Sequence, residues 1–390
     1  MNLVKLGDIC DFFNGGAWTQ SEFTETGYPV LKVSNCKNSG FEVDDISFIP
    51  HEIAQRSENN KLHIGDVIIA TVGSHPNLEE SAAGRSCIVT KKVQGFYLNQ
   101  NAVCLRSKDC DVLDQRYLGY LAASAPFKHY IQSCGKGAAN QMRIAIGAIK
   151  EYEFEIPDIH VQRKIGATLD AYDDLLENNQ EQIKLLEEAA QRLYKEWFVD
   201  LRFPGHETTP ITDGIPKGWT EGKLADLAVF KRGKTITKGQ VNEGNVPVVA
   251  GGLEPAYYHD TSNTDAPVIT VSGSGANAGF TRMYYTKVWA SDCSYVDSSA
   301  TQDIAWVYCF LKENKASIDS MQKGAAQPHV YAKDLNAMKV VVPSDSIMEL
   351  FQAQADPIFT KIGKLEKQIK LLSEARDRLL PKLMNGEIEV

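Results

Sequence analysis

The second half of the chain contains three groups of side chains of the types that contact nucleic acid. The groups are Lys231, Arg232, Lys234 and Lys238; Ser272, Ser274, Asn277 and Arg282; and Lys323, Gln327 and His329. Lysine and arginine bind phosphates and guanine, asparagine and glutamine bind adenine, and hydroxyl groups bind phosphate oxygens. The second group flanks a glycine-rich loop, GSGANAG, whose backbone could approach a phosphate closely. We expect these groups to form a DNA-binding surface.

The first half of the chain holds polar residues at corresponding places. They are Ser34, Asn35, Thr71, Ser74, His75, Lys136, Asn140, Gln141 and Arg143. Taken singly, each of these residues is more simply a solvated loop residue. Taken together on repeated loops, they predict DNA contacts. Trp18 could wedge between bases, although burial is the more common fate of a tryptophan.

The elements that position these residues occur twice. IKLLEEAAQRL (183–193) and IKLLSEARDRL (369–379) are identical at eight of eleven positions. KGAA occurs at 136–139 and again at 323–326, and IATVGS (69–74) resembles ITVSGS (269–274). Such self-similarity indicates a duplicated architecture. We predict two diverged globular domains, 1–157 and 204–343, each followed by a helical segment, 158–203 and 344–390.

The two helical segments carry a heptad pattern. Apolar residues recur at spacings of four and three from 165 to 197 and from 351 to 383. A pattern of this length predicts a coiled coil, and the simplest arrangement pairs the two helices antiparallel, as a spacer between the domains. Asn179 and Arg376 interrupt the pattern, and partial exposure is the simpler interpretation; a register-setting role is the other. Pro357 predicts a kink or a restart of the second helix.

The globular segments combine strands and helices. Predicted strands are VIIATV (67–72), FYLNQNAVCLR (96–106), PVITVSGS (267–274) and KVVVP (339–343), and predicted helices span 116–132 and 304–321. The fold class is therefore α+β. We expect two mixed α/β domains, separated by two long helices in an antiparallel coiled coil, with a pseudo-twofold internal repeat.

Composition limits the class of protein. The chain has no apolar run long enough to span a bilayer and no secretory signal at its start, and its eight cysteines show no metal-ligand spacing. We expect a cytoplasmic protein without a metal. The net charge of −9 argues against an extended cationic surface. However, the largest acidic excess, ten acidic against six basic residues, lies in 158–203. Local clusters elsewhere could still bind phosphate, because charges are screened within about 10 Å.

Motifs for catalysis are missing from the sequence. The GKT at 233–235 lacks the upstream glycine of a P-loop, and the chain contains no HExxH or GxSxG. The Asn-Pro-Pro-aromatic or Asp-Pro-Pro-aromatic site of an amino-methyltransferase is also missing. The spacing in GSGANAG does not fit a dinucleotide-binding loop. These observations favour a binding protein that holds no cofactor and has no catalytic residues.

Three stretches resemble a known family. PDIHVQRKIGATLDAYDDLLENNQEQIKLLEEAAQRLYKEWFVDLRFPG (157–205) is similar to the central conserved region of the specificity (S, HsdS) subunits of type I restriction-modification enzymes. SIMELFQAQADPIFTKIGKLEKQIKLLSEARDRLLPKLMNGEI (346–388) resembles the conserved C-terminal helix of that family. KGAAQPHV (323–330) is similar to the glycine–glutamine motif near the end of a recognition domain, whereas GAANQMRI (137–144) lacks its Pro-His.

The resemblance implies a function. It implies two target recognition domains that read a bipartite double-stranded DNA target with a fixed gap. It also implies two methyltransferase (M) subunits that use S-adenosylmethionine, and restriction (R) subunits that use ATP with Mg²⁺. No catalysis would then reside in this chain. Two alternatives remain open, a stand-alone DNA methyltransferase or nuclease, and a scaffold with two domains that do not bind DNA.

Overall fold

The computed structural model describes residues 2–37, 40–73, 82–138, 141–323 and 328–390. The chain divides into two compact units. The first comprises Met1–Leu176 with Leu371–Val390, and the second comprises Glu177–Lys370. Each unit combines one globular segment with parts of both long helices. The predicted α+β class is confirmed.

The first unit is built on a four-stranded antiparallel sheet. In spatial order its strands are Cys10–Asn14, Ala102–Ser107, Val67–Ala70 and Ser86–Ile88. Two three-stranded sheets contain Tyr97–Leu98, Tyr28–Leu31 and Ser47–Ile49, and Lys136–Ala138, Gln141–Arg143 and Val72–Gly73. Two-stranded sheets pair Asn2–Lys5 with Glu153–Ile156 and Cys36–Lys37 with Gly40–Phe41. Every side chain of Val67–Ala70 is buried, so this strand is covered on both faces.

Short helices cover the sheets of the first unit. The α-helices are Leu6–Ile9, His51–Arg56, Gln115–Ala123, Ala125–Ser133 and Ile146–Lys150, and the 3₁₀ helices are Gln20–Glu22, Val33–Asn35, Glu58–Asn60 and Lys91–Val93. The helix predicted over 116–132 is interrupted at Ser124. Its hydroxyl accepts a hydrogen bond from the Phe127 amide at 3.4 Å, which caps a new helix. The strand predicted over 96–106 is also interrupted, by a turn at 99–101.

The second unit repeats the same sheet order. Its four-stranded sheet contains, in spatial order, Lys231–Arg232, Cys293–Asp297, Val268–Ser272 and Thr281–Tyr284. The three-stranded sheet contains Tyr257–His259, Val246–Val249 and Trp289–Ala290, and two-stranded sheets pair Ile211–Thr212 with Ile215–Pro216 and Thr220–Lys223 with Lys339–Val342. The α-helices are Leu224–Leu227, Ile304–Glu313, Lys315–Ser320 and Ala332–Asn336, and the 3₁₀ helices are His206–Thr208 and Lys238–Gln240. The predicted duplication is therefore present in the topology.

The two long helices form where the heptad pattern predicts them. The first spans Ile159–Tyr194 and ends in a π-helical turn, Lys195–Val199. The side chain of Asp158 accepts a hydrogen bond from the His160 amide at 2.8 Å at its start. The second long helix spans Asp345–Met384. It runs through Pro357, so the predicted restart at this residue is wrong.

Within the first unit the long helices pair antiparallel. Ile165 and Leu169 of the first helix share a core with Leu383 of the second. Further along, Asp173 contacts Arg376, so residue numbers rise on one helix as they fall on the other. The Arg376 side chain is 31% exposed, as predicted. Asn179, which belongs to the second unit, is 6% exposed, and its predicted exposure is wrong.

In the second unit, aromatic rings of the two long helices pack against one another. The Phe351 ring lies 6.3 Å from the Tyr194 ring, 6.0 Å from the Trp197 ring and 5.0 Å from the Phe198 ring, centroid to centroid. Trp306 of the globular segment packs edge-on against Tyr194 at 5.5 Å. One continuous core therefore joins the globular segment of this unit to its helices.

Candidate nucleic-acid interface

The first predicted group of the second unit lies at the edge of its main sheet. Lys231 and Arg232 form an exposed edge strand. The amide of Lys234 donates to the Ala290 carbonyl at 2.9 Å, and the indole of Trp289 donates to the Lys234 carbonyl at 2.8 Å. The ammonium of Lys234 lies 6.0 Å from the centre of the Trp289 ring. Three cationic side chains thus project from one rigid edge, and Lys238 follows in the exposed 3₁₀ helix beyond it.

The turn at Ser291 and Asp292 lies beside this edge. The Ser291 amide donates to the Val249 carbonyl at 2.8 Å, and the Ser291 hydroxyl accepts from the Ile236 amide at 3.3 Å. The Ser274 hydroxyl donates to a carboxylate oxygen of Asp292. Segments distant in sequence therefore hold the turn from several sides.

The third predicted group lies beside Ser274, whose hydroxyl contacts the turn. Lys323 and His329 exchange backbone hydrogen bonds at 3.0 and 2.9 Å, and His329 also bridges to Ser274. The His329 ring stacks on the ring of Tyr331, with centroids 5.8 Å apart. The ammonium of Lys323 contacts the Asp334 carboxylate at 2.9 Å. Ser274 of the second group, which bridges to His329 and contacts Asp292, therefore connects the third group to the turn. Gln327 lies outside the described residues.

Some predicted residues of the second domain face elsewhere. Ser272 is 3% exposed, and its hydroxyl donates to the Gly251 carbonyl at 3.1 Å. Arg282 stacks on the Tyr284 ring at 4.9 Å and contacts Glu254 at 3.5 Å. It lines a cavity of about 400 Å³ that also contains Glu366 of the second long helix. Asn277 is half-buried and its carbonyl accepts from the Phe280 amide. We therefore leave Ser272, Arg282 and Asn277 out of the proposed interface.

The equivalent residues of the first unit lie on a small sheet. Lys136 pairs with Arg143, and both side chains are exposed. The Ile144 amide donates to the Thr71 carbonyl at 2.8 Å, as the Val330 amide donates to Gly273 at 3.1 Å in the second unit. Arg143 therefore takes the position of His329. Gln141 forms part of the same strand, whereas Ser74, His75 and Asn140 lie outside the described residues.

Three further predicted positions of the first unit differ in exposure. Ser34 is exposed, but Asn35 is buried. The Asn35 side chain accepts from the Lys32 amide at 2.9 Å and donates to the Glu42 carbonyl at 3.0 Å, so its polar atoms hold the loop. Trp18 is 9% exposed and belongs to an apolar cluster, which supports burial over wedging. Asn35 and Trp18 are not part of the proposed interface.

The sequence prediction missed a turn that occurs at the same topological position in each unit. In the second unit this turn is Ser291 and Asp292, and in the first it is 99–101, with the sequence Asn-Gln-Asn. The apolar residues around Asn-Gln-Asn made this stretch resemble one continuous strand. The two asparagines are themselves turn signals and could have located it.

The described residues lack a metal-binding cluster. They hold no cluster of three or more His, Cys, Asp or Glu side chains that could bind a metal ion. Burial raises the pKa of the Cys293 thiol, next to the turn, to about 12, so it is protonated at neutral pH. No described helix has the length and apolar character to cross a membrane.

Comparison with known proteins identifies the family of the chain. The sequence signature of the type I restriction modification DNA specificity domain matches residues 1–188 and 216–373. The chain belongs to this family. Its predicted kinship with specificity subunits, and DNA specificity in a type I restriction-modification system as its function, are thereby confirmed.

Individual members of the family cover most of the chain. The type I restriction enzyme MjaIX specificity subunit of Methanocaldococcus jannaschii is 27% identical over 308 residues, which cover 72% of this chain and 70% of the relative. The type I restriction enzyme HindI specificity subunit of Haemophilus influenzae is 21% identical and covers 98% of both chains. The crystal structure of the type I restriction-modification system S subunit from M. genitalium superposes with a TM-score of 0.63 at 19% identity, over 98% of this chain and 96% of that one. This last match supports the shared fold.

Proposed function

We propose that each unit of this family member reads one half of a bipartite double-stranded DNA target. The observation that carries the proposal is the exposed edge of the main sheet of the second unit, where Lys231, Arg232 and Lys234 lie on one segment beside the turn at Ser291 and Asp292. Cationic side chains on a rigid edge bind phosphates and fix the position of a domain on the duplex. The first unit has the same topology but different residues at these positions, so the two halves of the target would differ.

The long helices would bind the partner subunits. Four large apolar side chains lie on their surfaces outside the heptad pattern: Leu175 and Leu371 in the first unit, 49% and 55% exposed, and Leu185 and Leu350 in the second, 55% and 46% exposed. Exposed apolar side chains can be buried in an interface with a partner, which removes their surface from water. We infer that two methyltransferase subunits dock on these similar helices, and that restriction subunits join that complex.

Catalysis would reside in those partners. S-adenosylmethionine would bind the methyltransferase subunits, and ATP with Mg²⁺ would bind the restriction subunits. This chain would supply recognition and assembly without a reaction of its own. The missing sequence motifs for methyl transfer support this assignment.

The test uses the full chain co-expressed with its methyltransferase subunits. Mapping of methylated sites should give one bipartite sequence. Exchange of residues 204–343 for the corresponding segment of another family member should change one half of that sequence and leave the other unchanged. The proposal fails if the purified chain alone methylates or cuts DNA, if it binds S-adenosylmethionine by itself, or if the exchange alters both halves.

A further inference from the structure

The turn at 99–101 in the first unit is held rigidly by backbone hydrogen bonds. The Asn99 amide donates to the Leu31 carbonyl at 2.9 Å, and the Gln100 amide donates to the Gly16 carbonyl at 2.8 Å. The Asn101 carbonyl accepts from the Thr71 amide at 2.8 Å. Each residue of the turn is therefore fixed through its main chain. Its side chains are not needed to hold it in place.

Close packing below the turn explains why residue 15 is a glycine. A Cβ atom on Gly15 would lie 1.8 Å from the Asn99 carbonyl oxygen, so only glycine allows this approach. Asn101 has a φ of +72°, a left-handed conformation that asparagine tolerates better than most residues. The sequence around the turn is thus suited to one defined backbone shape.

The side chains of Gln100 and Asn101 point into solvent without a partner. Both residues are exposed, and neither side-chain carboxamide makes a hydrogen bond to any described part of the chain. A carboxamide offers one donor and one acceptor side by side, which matches the N7 and N6 atoms of adenine in the major groove. Exposed carboxamides on a rigid turn, near the paired strands that carry Lys136 and Arg143, therefore have the chemistry to read a base.

The second unit has the same turn with one residue fewer. Ser291 takes the place of Asn99, because its amide donates to Val249 as that of Asn99 donates to Leu31. Asp292 takes the place of Asn101, because its carbonyl accepts from the Gly273 amide at 3.1 Å as that of Asn101 accepts from Thr71. The two turns occupy the same topological position but differ in length and in functional groups.

The Asp292 carboxylate can only accept hydrogen bonds. Phosphates repel a carboxylate, so among the neighbouring lysines and arginine this side chain suits a base edge that presents an amino group. Aspartate accepts from N4 of cytosine in the major groove. The hydrogen bond from Ser274 to one carboxylate oxygen orients the side chain and leaves the other oxygen available.

We propose that this turn is the base-reading element of each unit. Gln100 and Asn101 read adenine in the half-site of the first unit, and Asp292 accepts from the amino group of cytosine in the half-site of the second. This inference rests on the proposed function and deepens it. The surrounding cations position the duplex, while the turns choose the bases.

The test compares methylation maps of complexes that contain variant chains. Gln100→Ala and Asn101→Ala should each lower the preference for adenine at one position of the first half-site by about tenfold, the discrimination typical of one bidentate contact. Asp292→Asn should lower the preference for cytosine at one position of the second half-site by about tenfold. The other half-site should remain unchanged in each case.

Controls separate recognition from folding. Gln94→Ala and Asp213→Asn alter exposed residues outside the turns, and both should leave the methylation map unchanged. If an alanine variant does not assemble, Gln100→Met and Asn101→Gly remove the carboxamide without adding charge and provide the same test, since glycine accepts the left-handed backbone at position 101. Equal weakening of all sites, or an unchanged map from assembled variants, overturns the inference. If the complex with the unaltered chain methylates no defined sequence, the proposed function itself fails.

Discussion

Arg376 donates a hydrogen bond to Asp173 at 2.6 Å, and the two residues lie on opposite long helices of the first unit. The hydroxyl of Tyr120, on a helix of the globular segment, donates to the other carboxylate oxygen of Asp173 at 2.8 Å. The arginine that interrupts the apolar pattern is therefore paired. The same carboxylate links both helices to the globular segment.

This pairing should contribute modestly to stability. Asp173→Ala and Arg376→Ala should each lower the free energy of unfolding by about 1 kcal/mol, because both side chains are about a third exposed and water weakens the ion pair. A double-mutant cycle followed by urea unfolding should give a coupling energy of about 0.5 kcal/mol or more. Asp174→Ala, on the exposed side of the same helix, is the matched control. Additive effects of the two substitutions would contradict the pairing.

The aromatic core of the second unit should be far more sensitive. Phe351 is fully buried among aromatic rings, so Phe351→Ala should lower the free energy of unfolding by about 3–5 kcal/mol. Leu350, its neighbour in sequence, is 46% exposed, and Leu350→Ala should change stability by less than about 0.5 kcal/mol. Thermal and urea unfolding of the two variants measure the difference. Similar losses in both would disprove the assignment of the helix face.

Burial of Glu366 predicts a dependence of stability on pH. Burial raises the pKa of this carboxyl group, against the opposing effect of nearby Arg282. The protonated form is thus favoured by folding, and its contribution is present at acid pH and lost as the pH rises through the folded-state pKa. Glu366→Gln should therefore stabilise the second unit at pH 7, and this gain should vanish below the unfolded-state pKa. Urea midpoints measured from pH 4 to 8 test the sign, with exposed Glu349→Gln as the control for net charge.

Phosphate contacts predict a salt dependence for the assembled complex. Lys231→Ala, Arg232→Ala and Lys234→Ala should each weaken DNA binding similarly on all sequences and reduce the slope of log affinity against log salt by about one. Lys339→Ala removes an exposed lysine on a different sheet and should leave the slope unchanged. Fluorescence anisotropy at several salt concentrations gives both quantities. A loss of affinity with an unaltered slope would exclude phosphate contacts.

The long helices were predictable because a heptad pattern is local. Its apolar positions from 165 to 197 are buried or half-buried, as are those from 351 to 383. Pro357 misled the prediction, since proline in a helix interior costs about 3 kcal/mol. Here Ala355 and Phe359, on either side of it, pack in the core, and this packing keeps the helix continuous. Tertiary contacts of that kind leave no periodic signal.

The candidate site was predictable only as a set of residue types. Lysines, arginines and the two copies of KGAA led to the prediction that corresponding loops in both halves bind DNA. Which of these side chains are free to bind depends on contacts across the chain. Asn35 and Ser272 show this, since each donates to a carbonyl group that is distant in sequence or on another loop.

The C-terminal helical residues complete the first unit, because Leu383 fills a core otherwise made by residues before 170. During synthesis on a ribosome, that core is complete only after residues 371–390 have been added. The second unit, which ends at Lys370, has all of its residues available earlier. The first unit therefore receives its last core residue only after every residue of the second unit has been made, so removal of residues 371–390 would uncover Ile165 and Leu169 while all residues of the second unit remain.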